Sequence, residues 1–481
     1  MKISALEIID LIEPHFRDCL EREEYEIKTI KAEDLLTYNR FDIAFKLLYL
    51  EMLNYDVEFA KENYQEHIRA FSLGNFKEPG NAKKNSINQF LKVFHEVFKD
   101  IKVNGFNQNK TLIPLSKNNS IVNGAHRVAS AIYLNKTIDC IEIGVEDDIY
   151  NYRFFYNRKV SNGILDIVAI KFIEYASNVH IAFFWPIEKN IDIDVESMLP
   201  NIVYTKKIQL NFNGAHNLLS QIYYGEEWLG SVEENFPGSM GKMTECFKTF
   251  DAFQIVAFQS NDLNEVLKIK ENIRSVFSVG KHSIHITDTK EEAVRMARVV
   301  FNENSVHFLN YAKPNKYLSF HRQVNSFKNF IRENNINSDK AILDEGIVLS
   351  AYGLRESANV KHFTIEEGQI GKCYSKVLDF HHEKRLELIF NPKFYFFFNN
   401  IKFIAFNQLY RMKKNRGKKK DINDCKMMES LLKDDNFKKL ATHFKQTMLY
   451  GRVKFRYKLI LLLKFVGLYN IIKTLKAWIR L

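Results

Sequence analysis

Apolar residues recur at helical spacing along residues 41–50, where Phe41, Ile43, Phe45, Leu47, Leu48 and Leu50 predict a helix within a largely helical stretch over 1–70. A second amphipathic helix is expected over 86–102, with Ile87, Phe90, Leu91, Phe94, Val97 and Phe98 along one side. Next, Ile121 and Val122 form a short apolar strand that enters a turn at Gly124. A small-residue helix follows, and a strand over 137–143 closes the unit. Between 164 and 310, strand-like runs at 179–185, 208–212, 253–258 and 283–286 alternate with helices, most clearly at 263–277 and 290–302. Further on, 394–403 reads as a hairpin turning at Asn399-Asn400, its aromatics pointing into a core.

With 481 residues the chain exceeds one core, and a multidomain α/β (α+β) architecture is expected. The boundaries read as 1–160, 161–335, 336–440 and a basic tail over 441–481. The five cysteines are widely scattered and suggest neither a zinc knuckle nor a disulfide framework, which fits a reducing cytoplasm. An early carboxylate, Glu7, speaks against a signal peptide, and no run reaches 18 uncharged apolar residues. The net charge is +11, and residues 436–481 hold eleven Lys and Arg with no Asp or Glu, so the rest of the chain is neutral. A neutral body argues against nucleic acid, because tracking phosphates needs a basic face.

The turn at 123–127 carries the clearest candidate chemistry. A strand, a glycine turn and a helix start direct unbonded amides and the positive end of the helix dipole at one point. There Arg127 offers a two-pronged anion donor and His126 a group that exchanges protons near neutrality. The run Asn123-Gly124-Ala125-His126-Arg127, with Ala129 and Ala131 after it and Ile113-Pro114-Leu115 before it, resembles the signature of the ParB/sulfiredoxin-like fold over about residues 70–150. Members of that fold bind a nucleotide or phosphate at such a turn; some are CTP-binding partition proteins, some reduce sulfinic acids and some are small-molecule kinases. Ala125 stands where the reductases need cysteine, which excludes that chemistry. The partition branch implies a helix-turn-helix domain, and none is recognisable. The kinase branch implies a carboxylate base, for which Glu78, in Phe-Lys-Glu-Pro-Gly, is the candidate.

A secondary candidate site lies in the central segment and beyond. Glu227 and Trp228 pair a carboxylate with an aromatic platform, and Lys270 and Arg274 share a helix face. His285 and Asp288 sit where a strand ends; Asp288 or Thr289 is expected to cap the next helix with Glu292. His282 and His285 are expected on opposite faces of that strand, which speaks against a shared metal. Asn213-Gly214-Ala215-His216 echoes the first motif by coincidence. Over 340–430, the run Asp344 to Arg355, then Asn359-Val360-Lys361 and Lys420-Asp421-Ile422-Asn423-Asp424, resembles a degenerate nucleotidyltransferase-like layout. Asn359 and Lys361 replace its metal-holding carboxylates, so the resemblance implies a unit that binds without transferring nucleotides.

The tail over 451–481 alternates apolar residues with cations and carries Trp478 beside Arg480, the pattern of a helix lying in an anionic membrane surface. Such tails resemble those of cytoplasmic enzymes that build bacterial capsule and lipopolysaccharide, which implies a place peripheral to the inner membrane. The combined expectation is a phosphotransferase acting on a sugar or small metabolite with ATP or another nucleotide and magnesium. Its backbone at the turn and Arg127 would hold phosphate, His126 would orient or shuttle a proton, and Glu78 would be the base. The alternatives are a non-catalytic nucleotide- or sugar-binding module and a ParB-like DNA-binding or nuclease protein.

Overall fold

A computed structural model describes residues 2–78, 83–187, 195–277, 280–365, 375–432, 455 and 458–469. The chain is a mixed α and β structure with three sheets of three or four strands and a short pair, Lys2–Ser4 with Glu24–Glu26. In the first sheet Thr137–Glu142 is central, antiparallel to Lys28–Lys31 and parallel to Ile113–Leu115. The strand before the glycine turn is therefore 113–115; Ile121 makes only a single bridge to Leu115. Side chains alternate along the central strand. Ile138 and Cys140 enter the main core, while Ile141 and Ile143 pack on the N-terminal segment with Ile8, Ile12 and Tyr25.

The second sheet runs Ile202–Ile208, Phe253–Gln259, Val179–Phe184, Ile284–Ile286, with every neighbour antiparallel. Its faces divide by alternation: Ile181, Phe183, Ile255 and Ala257 join the main core, and Ala182, Phe184, Val256 and Phe258 meet helix Leu263–Phe277. A strand over 208–212 was expected, but the strand is 202–208. Asn211 accepts from the Gly214 amide at 2.8 Å and caps helix Phe212–Ile222, so the apolar run straddles a strand end and a helix start.

In the third sheet the order is Lys361–Thr364, Ala341–Asp344, Ile401–Ile404, Tyr395–Phe398. The last two strands are the expected hairpin: Asn399 and Asn400 take φ of 48° and 62°, and Phe396 and Phe403 stack 5.1 Å apart inside the core. One hydrophobic core runs without a break from Ala32 to Met428, linking all three sheets.

A chain of buried and half-buried charges links three helices to the third sheet. Glu51, at the end of helix Asp42–Glu51, binds Lys171 of helix Asn162–Tyr175 at 2.8 Å, and Lys171 binds Glu174 at 2.5 Å. Arg298 of helix Lys290–Val300 joins Glu174 at 2.6 Å to Asp339 at 2.8 Å, just ahead of strand 341–344. Lys402 closes the series by donating to the carbonyls of Asp339 and Ile389 at 2.8 and 2.9 Å. Replacing Arg298 with Met leaves Asp339 without its ion partner and Glu174 with Lys171 alone. It is expected to cost about 1.5–3 kcal/mol in denaturant unfolding, and an unchanged unfolding midpoint would contradict this role.

Candidate functional site

Gly124 takes φ +88°, and a Cβ there would stand 2.5 Å from Ile113 Cδ1 and 2.9 Å from an Arg127 nitrogen. Only glycine satisfies both constraints at this turn. Asn123 turns its side-chain oxygen onto the Gly124 amide. Helix Ala125–Tyr133 begins there, and its first intrahelical bond joins the Val128 amide to the Gly124 carbonyl at 3.0 Å. The amides of Ala125, His126 and Arg127 lie ahead of that bond. Asn123, Ala125 and His126 are half-buried, so the turn reaches the surface.

Successive residues at a helix start point about 100° apart, and His126 and Arg127 accordingly face different neighbours. Arg127 does not present the free two-pronged donor expected of it. Its guanidinium is held by Glu13, Thr111 and the Leu112 carbonyl, and it clamps the N-terminal segment onto the first sheet. His126 faces the helices. Its Nε2 meets the Tyr64 hydroxyl at 2.8 Å, and its ring packs 4.5 Å from that of Phe94.

Behind His126 lies a buried cluster that the sequence reading did not single out. Arg40 grips both oxygens of Asp42, at 2.8 and 3.1 Å, and donates to the Ile121 carbonyl just before the turn. Lys46 lies 3.0 Å from Asp42 and 3.3 Å from His67 Nε2. All four side chains are at most 3% exposed. Helix 42–51, expected to be amphipathic, is buried all round and carries Asp42 and Lys46 inside. The signal was present: two charges spaced i, i+4 within an apolar run that leaves no polar face for them.

Burial opposes the charge on Asp42, but Arg40 and Lys46 outweigh it and hold the carboxyl well below its usual range. Burial lowers the pKa of Lys46. It also pushes His67 and His126 well below the ordinary histidine value, and nearby lysines push the same way: Lys46 for both rings and Lys84 for His126. His126 is therefore a neutral imidazole at pH 7. Glu78 reaches the same neighbourhood. It pairs with Lys84 at 2.9 Å, and its charge raises the Tyr64 phenol after the larger effect of burial. Glu78 thus acts electrostatically on Tyr64, which binds His126, while Pro79 and Gly80 lie outside the described residues.

The secondary candidates divide. Trp228, Lys270, Arg274, His285 and Asp288 line one cavity of about 790 Å³ beside the second sheet. Glu227 sits on the neighbouring exposed turn and is not part of that wall. Thr289 caps helix 290–300 by accepting from the Glu292 amide at 3.1 Å, and Glu292 accepts from the Asp288 amide and binds His285 at 3.0 Å. His282 precedes the strand in a turn at 280–282, so it faces the same cavity as His285 instead of the opposite side. Asn213 and Gly214 belong to helix 212–222, where Asn213 donates to carbonyls around Leu309 to Ala312.

Arg355 stands elsewhere. It grips Asp424 at 2.6 and 2.8 Å, on helix Lys419–Leu432. Buried Lys413 lies between Asp424, Asp421 and Glu345 at 2.9 to 3.4 Å, and Arg416 binds Glu345 and Asp421. Asp344 faces Lys361 across the strand pair and meets His381 Nε2 at 2.9 Å.

No protein-family model matches the chain, and neither a curated protein nor a solved structure does. Among the described residues no three His, Cys, Asp or Glu side chains converge as a metal site.

The depressed His126 fixes a pH dependence. Below the ordinary histidine value near 6.5 the unfolded chain takes up a proton that folded His126 refuses, so its stabilising contribution is lost as pH falls through 6.5. Denaturant unfolding at pH 7.5 and 5.5 is expected to show a smaller acid loss in His126→Gln than in the wild type. Equal losses would refute a neutral, buried His126.

Proposed function

We propose that the N-terminal unit binds the phosphates of a nucleotide at the 123–127 turn and passes the terminal phosphoryl group to a hydroxyl of a sugar or other small metabolite. The observation that carries this reading is the gathering of His126, Tyr64, Lys84 and Glu78 around the amides of a helix start, from positions separated by up to 62 residues. The amides of 125–127 and the ammonium of Lys84 take the anionic oxygens. Neutral His126, fixed by Tyr64, orients a phosphate oxygen or relays a proton. Glu78 accepts the hydroxyl proton as the new P–O bond forms and the bond to the departing nucleoside diphosphate breaks. Magnesium would arrive on the nucleotide's own phosphates. Ala125 and the neutral body remain the grounds for setting aside sulfinic acid reduction and DNA binding.

Isothermal titration of the intact protein with ATP, CTP and nucleotide sugars tests the reading. Lys84→Ala is expected to weaken binding about tenfold, the worth of one charge-assisted bond. Arg127→Ala should loosen the Glu13 clamp with little effect on affinity. If none of these ligands binds, the proposal fails. A second reading, a module that binds without turnover, is favoured by the C-terminal unit, whose acidic groups Glu345, Asp421 and Asp424 are all occupied by Lys413, Arg416 and Arg355.

A peripheral position on an anionic membrane is part of the same proposal and accords with the resemblance to enzymes of bacterial surface polysaccharide synthesis. No helix among the described residues is long and apolar enough to cross a membrane. Along 458–469, however, Leu461, Leu462, Phe465 and Val466 are exposed, Phe465 by 91%. The rest of the tail, including Trp478 and Arg480, lies outside the described residues. Full-length protein should float with vesicles containing phosphatidylglycerol, and Leu462→Glu with Phe465→Glu should abolish flotation. Flotation unchanged by the two substitutions would reject this surface.

A further inference from the structure

The cavity beside the second sheet is independent of the N-terminal turn. Four cations face it, Lys242, Lys270, Arg274 and Lys464, against two carboxylates, Glu245 and Asp288. Lys270 is tied to Asp288. Arg274 gives one terminal nitrogen to Glu271 at 2.7 Å, while its Nε is buried with no partner. His282 Nδ1 is likewise buried without a partner. Two unsatisfied polar atoms in one cavity mark a place for a hydrogen-bonding ligand. One wall is aromatic: the rings of Tyr223 and Trp228 meet edge to face at 4.9 Å, with Trp228 46% exposed. Another wall is the C-terminal segment, which turns Ile460, Lys464 and Tyr469 inward while Leu461, Leu462 and Phe465 face outward.

We infer that this cavity binds a phosphate monoester, its dianion held by Arg274 and Lys242 and its organic part laid against Tyr223 and Trp228. Four cations against two carboxylates, with Glu271 pairing Arg274 from outside the wall, leave a net positive lining that suits an anionic phosphate ester. Arg274 brings a guanidinium with one terminal nitrogen on Glu271, and Lys242 brings an ammonium 5.6 Å from the Tyr223 ring. The ester has two possible sources: a free sugar phosphate, or the head of a lipid entering beside the C-terminal segment, whose apolar outer face would rest on the bilayer. The site does not rest on the nucleotide reading of the N-terminal turn.

The test uses the full chain with three probes: inorganic phosphate, glucose 1-phosphate, and phosphatidylcholine vesicles carrying phosphatidic acid. Arg274→Gln and Lys242→Gln are compared with Lys268→Gln, a change on the exposed side of the same helix as Arg274. Unfolding midpoints equal to that of the wild type confirm that each variant is folded. Arg274→Gln and Lys242→Gln should each weaken binding at least about tenfold, with Lys268→Gln unchanged and ATP affinity unaltered. Loss confined to the two soluble probes assigns the site to a free ester, loss confined to vesicles assigns it to a lipid head, and loss with both supports the site for either. The inference is overturned if the wild type binds none of the probes, if Arg274→Gln and Lys242→Gln bind all of them like the wild type, or if Lys268→Gln loses as much as they do. Loss of ATP binding in Lys84→Ala with phosphate binding intact would keep the two sites separate.

Discussion

The structure depends on a line of buried and half-buried charges that ties three helices of the core to the third sheet. Glu51, the Lys171–Glu174 pair of one helix, Arg298 and Asp339 come from four segments far apart in sequence, and every bond but the one within that pair crosses between segments. Removing ions of this kind from water costs several kcal/mol each, so the series is stable only while every member is paired. Lys402 shows the tension: burial presses its pKa down to about 8, although the Asp339 carboxylate pulls the other way. A hydrophobic junction would tolerate sliding. This one is satisfied in a single register, and the continuous core from Ala32 to Met428 is held in one arrangement by it.

The same economy of charge decides which residues remain available for chemistry. Arg127 and Arg355 both look like ligand clamps in sequence, yet each is spent on a carboxylate of its own chain, Glu13 and Asp424. A guanidinium already paired in two directions gains little from a phosphate, because the new bonds must replace those it gives up. Lys413, at 1% exposure, sits among three carboxylates of the C-terminal unit and neutralises them. Around His126 the balance differs. Asp42 is committed to Arg40 and Lys46, which leaves a neutral imidazole at a half-exposed helix start with cations behind it.

Much of the secondary structure was legible where one physical signal acted alone. Helix 263–277 announced itself by apolar spacing, and the hairpin by two asparagines able to take positive φ between aromatic runs. The strand at 202–208 was displaced in the reading because apolar residues continue past its end into a capped helix, and alternation cannot mark that switch. The glycine turn was legible for the same reason that it is needed: no side chain fits at Gly124. The directions of His126 and Arg127 were not. They are set by Tyr64 and Glu13, whose positions depend on long-range packing. Asp42 and Lys46 were hidden because charges are expected on a solvent face and their helix has none, and Arg40 because it lies just ahead of that helix.

The two candidate sites also differ in what burial does for them. At the N-terminal turn, burial keeps the histidines neutral while Arg40 and Lys46 keep Asp42 ionised against the same burial, so the polar groups are ordered before any ligand arrives. In the central cavity Lys270 is buried while Lys242 and Arg274 keep partial exposure, and exposed Lys464 is supplied by the C-terminal segment, so its field depends on where that segment lies. The inward face of 458–469 completes the wall while the outward face stays apolar and bare. Any surface that takes up Leu462 and Phe465 would therefore act on the same helix that carries Lys464 into the cavity. The coupling is mechanical: residues four apart, such as Ile460 and Lys464, share one face of a helix, and Phe465 stands on another.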